Sequence, residues 1–475
     1  MTREARGRAV RPAVAVAVLL AGCLAPAPIP TDDTLDAEPL AISYAHTCPQ
    51  GAEAWRLGEV CGGTLRTTDE ARAEAVAAVG PDGEFAIAWI SQPAVARVVP
   101  TTTGVEYEIL GLSVAFSEDG GTSWRHTTVP RPSSLGGGLV RYARGGDPSI
   151  AFDAGGTLHV VGISATTDRA TDRSCSEFFH VATPDQGRGW TTPVSLTGCE
   201  AGDDRPWVSA GDRGEAIVTW DRWGNADYER EVVLTRTADG GTTWRAPVRH
   251  GGCGQASPAI VAPGGVLVAC AVIRDPGPDG TAVEAHVGVG VLRLSNDGAT
   301  FAVLSDVPGT EGAVWPQLAL APDGTLVVQA DDVRVNPEPL RLARSMDGGA
   351  TWSDVVDLRD FVRVDDGATE GGTYLGAFAA DAWGGAHVLV AYCTRGGSEV
   401  FVAEACAPRT AHVAVDVSDL AVLAEARLRP DLPRARPPAV GAPPDHTAGV
   451  AFGAQVGLLA WSAERGIDFT VVRRE

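Results

Sequence analysis

A phrase of eight residues, which occurs five times, constrains the fold of this chain more than any other feature. It contains Ser or Thr, then Asp two positions later, Gly two positions after that, and Trp at the end, as in Ser117 to Trp124. The copies around Asp185 and Asp297 are degenerate, and the second is one residue short. Repeats at such intervals predict an array of similar structural units. The aspartates of the five phrases are Asp119, Asp185, Asp239, Asp297 and Asp347.

The residue types of this turn phrase are those of a tight turn. Asp and Ser side chains accept hydrogen bonds from nearby backbone amides, Gly adopts a positive φ, and Trp packs the turn against a sheet. We therefore predict a structural role for the five aspartates.

A second repeat, which consists of two apolar runs separated by a Gly-containing turn, accompanies the phrases. Six clear copies begin near residues 75, 147, 205, 257, 315 and 374, and a looser seventh spans His446 to Trp461. These patterns predict β-hairpins whose strands are covered on both faces. All hairpins except the sixth and seventh are followed by a turn phrase. One unit therefore consists of an inner, a second and a third strand, the turn phrase, and an outer strand.

These repeats predict an all-β fold, namely a β-propeller over residues 56–475. Seven hairpins favour seven four-stranded blades, and six blades are the alternative. The last hairpin is followed by only one clear strand, around Ile467 to Val472. We expect a strand from Arg56 to Leu65 to complete this blade, because ring closure removes exposed sheet edges.

The N-terminus has the features of a processing signal. Four arginines precede a short apolar stretch, and Leu20-Ala21-Gly22-Cys23 matches the lipobox of bacterial lipoproteins. Residues 1–22 are therefore predicted to be a signal peptide and Cys23 the lipidated residue, since the apolar run is too short to span a bilayer. A secretory signal cut at small residues is the alternative. Residues 23–55 form a predicted flexible tether, and Leu24 favours an outer membrane or cell surface.

Cysteine usage agrees with export. The eight cysteines other than Cys23 fall into neighbouring pairs without CxxC spacing, which favours local disulfides over zinc or redox chemistry. Eight cysteines allow 105 pairings, so the connectivity stays open. The neighbouring pairs are Cys48/Cys61, Cys175/Cys199, Cys253/Cys270 and Cys393/Cys406.

The net charge of −22 argues against nucleic-acid binding, which needs a basic face, and disfavours a polybasic membrane-binding surface. We predict membrane attachment only through the lipid. No metal or other cofactor is predicted: structural calcium is possible, but the acidic pairs Asp32-Asp33 and Asp331-Asp332 lack EF-hand spacing.

The turn phrases look like Asp boxes, also called BNR repeats, and the chain resembles the sialidase-like β-propeller superfamily over roughly residues 70 to 475. The resemblance implies a central funnel on the face where the inner strands begin, with the Asp boxes on the opposite face. It also implies, for a sialidase, an Arg trio that binds a carboxylate, a Tyr nucleophile and an Asp acid/base. The early Arg-Ile-Pro motif of sialidases is absent from this chain.

Candidate site residues are those that enter the inner strands. Tyr374 suits a nucleophile, Asp147 an acid, and Arg205 an anion ligand; Asp204, Arg144, Trp315 and Gln317 are candidate binding residues. Each has a structural alternative, because Asp before Pro often starts a strand and Tyr often lines a funnel as a packing residue. Asp147 and Asp204 could also form a paired-carboxylate hydrolase site. Further residues at these entries are Glu74, Gln255, Thr373 and His446.

The leading functional hypothesis is a surface-anchored lipoprotein whose propeller binds a glycan or an envelope protein. The alternative is a sialidase-like glycoside hydrolase that uses Tyr374, Asp147 and Arg205. A structural role in the cell envelope is a third possibility.

Overall fold

The computed structural model describes residues 61–65, 70–92, 97–101, 104–121, 123–132, 140–168, 173–199, 202–223, 230–273, 286–295, 297–332, 340–358, 373–382, 384–393, 408–428, 448–452, 456–463 and 466–473. The predicted signal peptide and tether lie outside these residues, as do Cys23, Cys48, Cys406 and His446.

The regular elements of the described residues are all β-strands. No helix in this part of the chain is long and apolar enough to cross a membrane. Strand β1 (Cys61–Leu65) comes before the first repeating unit. The first unit and its additional hairpin strand are β2 (Glu70–Val79), β3 (Phe85–Gln92), β4 (Arg97–Thr101), β5 (Gly104–Ser117) and β6 (Arg125–Thr128). The second unit is β7 (Val140–Phe152), β8 (Leu158–Asp168), β9 (Arg173–Thr183) and β10 (Val194–Ser195).

The next three units follow the same order from inner to outer strand. The third is β11 (Asp203–Ala210), β12 (Ala216–Trp223), β13 (Arg230–Thr237) and β14 (Val248–Gly251). The fourth has a divided inner strand and is β15 (Cys253–Gly254), β16 (Ile260–Ala262), β17 (Gly265–Ile273), β18 (His286–Leu294) and β19 (Phe301–Val307). The fifth is β20 (Ala313–Leu320), β21 (Leu326–Asp332), β22 (Leu340–Ser345) and β23 (Val356–Asp357).

The last two units complete the chain. The sixth is β24 (Thr373–Ala380), β25 (Gly385–Cys393), β26 (Pro408–Asp416) and β27 (Val422–Leu428). The seventh is β28 (Ala448–Phe452), β29 (Val456–Ala463) and β30 (Gly466–Arg473), and β1 is its outer strand. Cys61 pairs with Val471 and Leu65 with Ile467 in this antiparallel contact. The N-terminal strand therefore closes the last unit, as the sequence predicted.

The seven units form six hydrogen-bonded sheets, because the first two units share one sheet of nine strands. Within that sheet β5 pairs with β7 in parallel, from Val105 opposite Val140 to Leu110 opposite Arg144. The long strand β5 also pairs with β4, so its first half extends beyond the hairpin of its own unit. Counted by sheets the propeller has six blades, and the favoured count of seven is not supported. The hairpin repeat could not reveal this pairing, because parallel partners lie far apart in sequence.

Neighbouring units contact one another in a closed ring, mostly through their inner strands. Strand β2 contacts β7 on one side and β28 on the other, and contacts continue between β7 and β11, β13 and β15, β17 and β20, β20 and β24, and β24 and β28. Apolar side chains fill the spaces between neighbouring units. At the closure, Trp124 contacts Phe469 with ring centroids 4.9 Å apart, and Phe85 is fully buried beside it. Burial of each such side chain contributes about 2–3 kcal/mol.

The first turn phrase is stabilised by its own side chains. The Ser117 hydroxyl accepts the Gly121 N–H at 2.8 Å and donates to Asp119 at 2.9 Å. Asp119 accepts the backbone N–H and the hydroxyl of Ser123 at 2.8 and 2.6 Å. Gly121 has a φ of 90°, which only glycine adopts easily. The Trp124 ring is buried, and its N–H donates to the Gly121 carbonyl at 3.1 Å.

Three other phrases repeat the bond from the second Gly to the Ser or Thr hydroxyl, as Gly187 to Thr183, Gly241 to Thr237, and Gly349 to Ser345. Hydrogen bonds from Thr243 and Thr351 lower the pKa of Asp239 and of Asp347 to about 2. In the shortened phrase, Ser295 instead accepts the N–H groups of Ala299 and Thr300, and its hydroxyl lowers the pKa of Asp297.

Two of the four predicted disulfides lie within the described side chains, and both form. Cys175 is bonded to Cys199 and Cys253 to Cys270. Each of the other two predicted pairs includes a cysteine outside the described residues.

Two buried histidine pairs link the second and third strands of the second and sixth units. His159 Nδ1 lies 2.9 Å from His180 Nε2, and Asp153 lies 3.5 Å from the other side of His159. His387 and His412 repeat this arrangement at 2.9 Å, with Asp381 at 2.8 Å. Burial lowers the pKa of His159 and that of His412, and it lowers the pKa of His180 to about 3. His159 and His387 are therefore buried core residues, each bonded to a second histidine.

Candidate functional site

Left-handed backbone at non-glycine residues marks one end of the inner strands. Seven described residues of this kind exist, and five of them lie at the entries to successive inner strands with φ between 45° and 61°. At four of the five, the pairing of inner and second strand shifts register. This conformation costs a non-glycine residue about 1–2 kcal/mol, and such strain is concentrated at functional sites. The five residues are Glu74, Asp147, Arg205, Gln255 and Trp315.

We call this end of the inner strands the bulge face. Pro148, Pro206 and Pro316 follow three of the five left-handed residues. Proline has no N–H group for a ladder, so it is accommodated where a bulge interrupts the pairing. An X-Pro dipeptide at the start of an apolar run is therefore a sequence signal for these positions.

Several polar side chains of the bulge face connect neighbouring units. Each accepts a backbone N–H of the following unit, which satisfies a main-chain donor at the contact between the two units. The pairs are Glu74 with the N–H of Asp147 at 2.8 Å, Ser149 with Val208 at 2.9 Å, Asp221 with Ala256 at 2.7 Å, Gln255 with Trp315 at 2.9 Å, and Gln317 with Phe378 at 3.1 Å.

These contacts give two sequence candidates a structural task. The side-chain oxygens of Gln317 and Gln255 accept hydrogen bonds from the next unit. Substitution of Gln317 or Gln255 is therefore expected to weaken the contact between neighbouring units, whether or not a ligand is bound. Arg205 and Trp315 differ from these two, because their side chains contact each other.

The turn phrases lie at the other end of the inner strands. Gly240 donates its N–H to the carbonyl of Gly214, in the turn that follows β11. Arg205 lies at the start of the same strand. The aspartates of the phrases are therefore separated from the bulge face by the length of a strand.

Arg205 and Trp315 meet on the bulge face although they belong to the third and fifth units. The Arg205 guanidinium carbon lies 5.0 Å from the centroid of the Trp315 ring. Arg205 is 5% exposed, whereas Trp315 is only partly buried. A cation over an indole face contributes about 0.5–2 kcal/mol. The contact thus fixes an aromatic surface beside a positive charge.

A second arginine–tryptophan contact lies at the junction of the third and fourth units. The guanidinium carbon of Arg230 is 3.5 Å from the centroid of Trp223, its cross-strand partner. A Cβ atom on Gly254 would approach Arg230 Cδ to 2.7 Å, so glycine is required where the arginine passes. We call Arg205 and Arg230 the arginine pair.

Asp221 lies within the electrostatic reach of the arginine pair. It is completely buried on β12, directly opposite Asp204 of β11 in the antiparallel register. Its Oδ1 accepts the Ala256 N–H, and its Oδ2 accepts no hydrogen bond from the described residues. Burial raises the pKa of Asp221 to about 7, although the Ala256 N–H, Arg205 and Arg230 each act to lower it. The carboxyl therefore changes its charge near neutral pH.

Asp203 makes a separate structural contact beside this cluster. It binds Arg222 through both carboxylate oxygens, at 2.9 and 3.2 Å, and it accepts the Trp220 indole N–H at 3.1 Å. This bidentate pair fixes the start of β11 to the end of β12.

The other predicted site residues are placed as follows. Asp147 is 9% exposed. Asp204 accepts the Arg205 N–H at 3.1 Å. The backbone of Arg144 in β7 pairs with Ala165 of β8, and that of Tyr374 in β24 pairs with Ala391 of β25. The side chains of Arg144 and Tyr374 are not among the described ones, so the proposed catalytic grouping of Tyr374 with Asp147 and Arg205 stays a prediction.

Sequence reasoning did not identify Asp221 and Arg230. Asp221 follows the mostly apolar run of residues 216–220 in β12, and a carboxylate directly after such a run was a usable signal. Arg230 gave no comparable signal, because its role depends on Trp223 and Gly254. Across the described ranges, no group of three or more His, Cys, Asp or Glu could hold a metal ion.

No protein-family model matches this chain, and no curated protein matches its sequence. Solved structures resemble it in fold. A protein of unknown function from Dyadobacter fermentans is 12% identical, with 87% of this chain and 97% of that chain covered and a TM-score of 0.47. An ulvan lyase of polysaccharide lyase family PL25 is 12% identical, with coverage of 86% and 96% and a TM-score of 0.47. A Hadza microbial sialidase is 13% identical, with coverage of 87% and 68% and a TM-score of 0.42. The β-propeller architecture of this chain rests on its own sheets.

Proposed function

We propose that this chain is an exported lipoprotein whose propeller binds, at the bulge face, a carbohydrate that carries an anionic group. The observation that carries this proposal is the contact between Arg205 and Trp315. A partly exposed indole suits stacking on a sugar ring, and an adjacent guanidinium suits a carboxylate or sulfate substituent.

Binding is favoured over hydrolysis by the burial of Asp221. This carboxyl, which lies within the electrostatic reach of the arginine pair, has no exposed surface, whereas an acid catalyst must reach the glycosidic oxygen. The strained backbone at Arg205 and Trp315 supports a site, because such strain persists where the surrounding structure holds it in place.

Calorimetric titration with D-glucuronic acid, and with D-glucose as the neutral control, tests this proposal. We expect binding of the acid alone, weakened about tenfold or more by Arg205→Gln and by Trp315→Ala, as is typical of arginine and tryptophan at the centre of a binding site. Arg188→Gln is the matched control, since Arg188 is an exposed residue of a turn phrase. Equal affinities of Arg205→Gln and the unchanged protein would contradict the site.

Hydrolysis is measured separately with a fluorogenic sialoside. We expect no turnover above buffer. Turnover that is lost in a Tyr374→Phe variant would replace the binding proposal by the glycosidase alternative. Absence of both binding and turnover, in a folded protein, would favour a structural role in the envelope.

Anchoring through Cys23 is part of the same proposal and rests on Leu20-Ala21-Gly22-Cys23. Mass spectrometry of the N-terminal peptide from native membranes should find an acylated Cys23. A mature N-terminus at a small residue other than Cys23, without lipid, would show an ordinary secretory signal instead.

A further inference from the structure

The arginine pair and Asp221 form a charged cluster that extends the binding site proposed above into the protein interior. The tryptophans Trp315 and Trp223 each face one guanidinium, at 5.0 and 3.5 Å from its carbon. Asp221 is the fully buried carboxyl whose electrostatic neighbours are both arginines and Asp204.

We propose that Asp221 is a positioning residue that couples anion binding at the arginine pair to the uptake of one proton. The cluster, which also contains Asp204, is more positive by one unit when Asp221 is neutral than when Asp221 is ionised. The proposal rests on the proposed function, because it assigns the anionic group of the ligand to this cluster.

The geometry restricts Asp221 to this indirect role. Its side chain has no exposure and one oxygen is occupied by the Ala256 N–H, so it does not touch a ligand. The same bond joins the third and fourth units, and proton binding at Oδ2 leaves the bond at Oδ1 intact. The switch therefore changes the charge of the cluster while the ring stays assembled.

Asp221 is the group whose charge changes near neutral pH in this cluster. Arg205 and Asp204 come from β11, and Arg230 comes from β13. The arginines stay charged throughout the physiological range, and burial raises the pKa of Asp221 to about 7. Anions are therefore expected to bind more tightly below pH 7 than above it.

The expected size of the coupling follows from the Coulomb interaction. Two unit charges about 8 Å apart at an effective dielectric constant near 20 correspond to a change in affinity of about thirtyfold. The affinity for D-glucuronic acid, whose own carboxyl stays ionised, should fall by about this factor between pH 5.5 and pH 8.5. Asp221→Asn should keep the tighter affinity at both pH values.

Calorimetry in two buffers of different ionisation enthalpy measures the proton directly. At pH 7.5 the unchanged protein should take up part of one proton per ligand bound, and Asp221→Asn should take up none. Asp212→Asn is the control, since Asp212 is an exposed carboxyl of the same unit. An affinity that varies less than threefold with pH, or the same proton uptake in Asp221→Asn, would overturn the coupling.

An infrared titration without ligand separates this inference from the proposed function. The difference spectrum between the unchanged protein and Asp221→Asn should contain a protonated carboxyl band at pH 5.5 that disappears as the pH rises past 7. A carboxylate band already present at pH 5.5 refutes the proton switch whatever the protein binds. If the band titrates but no D-glucuronic acid binds at either pH, the assigned ligand class is wrong and the coupling falls with it.

Discussion

The buried carboxyl of Asp221 predicts that its own contribution to the stability of this propeller falls as the pH rises from 5 to 7. The folded state raises the pKa of Asp221 from its ordinary value of 3.8 to about 7. Between these two values the unfolded chain has lost the proton while the folded chain still holds it. The stabilisation that Asp221 contributes is therefore fully present at low pH and is lost as the pH rises through the folded-state pKa of Asp221. Asp221→Asn removes this titration and keeps an acceptor for the Ala256 N–H.

The size of the effect follows from the difference of about three pH units. Each unit corresponds to about 1.4 kcal/mol, and the full difference to about 4 kcal/mol. Only part of this range lies between pH 5 and pH 8, so the contribution of Asp221 lost over this interval is about 3 kcal/mol. The Asn variant should become more stable relative to the unchanged protein by that amount.

Urea denaturation at pH 5, 6, 7 and 8 measures this difference. The dependence of the unfolding free energy on urea concentration must be the same for both proteins. The Asp212→Asn control should follow the unchanged protein at every pH, because an exposed carboxyl loses little solvation on folding. A stability difference between Asp221→Asn and the unchanged protein that stays constant from pH 5 to pH 8 would refute the argument. It would mean that Asp221 is ionised throughout, with the arginine pair outweighing its burial.

Three further predictions concern the interior and the turns. Burial lowers the pKa of His180 to about 3, so stability is lost as the pH falls below 6.5; His180→Gln should reduce the loss between pH 6 and pH 4 by about 2–3 kcal/mol, measured by urea denaturation. Gly240 and Gly241 both have positive φ, but a Cβ on Gly241 would lie 2.1 Å from His180 whereas Gly240 has open space; Gly241→Ala should lower the melting temperature clearly more than Gly240→Ala, and equal losses would contradict the packing. Replacing Cys253 and Cys270 by Ser removes a disulfide of sequence separation 17 and should cost about 3 kcal/mol in urea. Reductant should then destabilise the variant by about that much less than the unchanged protein, because Cys175–Cys199 remains in both.

The local parts of this fold could be predicted from the sequence because their interactions span few residues. The bonds of the turn phrase join Ser117 to Asp119 and Gly121, two and four positions apart. The same holds for the hairpins, whose apolar runs flank a short turn. The closing strand near Leu65 followed from the need to cover a sheet edge, which is a general rule of sheets.

The candidate site was only half predictable. Arg205 and Trp315 were identifiable because each stands before a proline at the start of an apolar run. Their contact with each other was not identifiable, because it joins residues of the third and fifth units and depends on how the ring closes. Asp221 was overlooked for the same reason: its pKa is set by burial and by Arg230, which a sequence pattern does not place.

Residue order was enough to establish the repeating unit, the turn chemistry, two of the disulfides and the strand that closes the ring. Only the assembled ring shows that the first two units share a sheet through the parallel pairing of β5 and β7. Because of this shared sheet, the propeller has six sheets. Assembly of the ring was also needed to bury Asp221 within the electrostatic reach of the arginine pair. The difference is one of range: hydrogen bonds over a few residues act in any context, whereas desolvation and contacts between units exist only once the ring has formed.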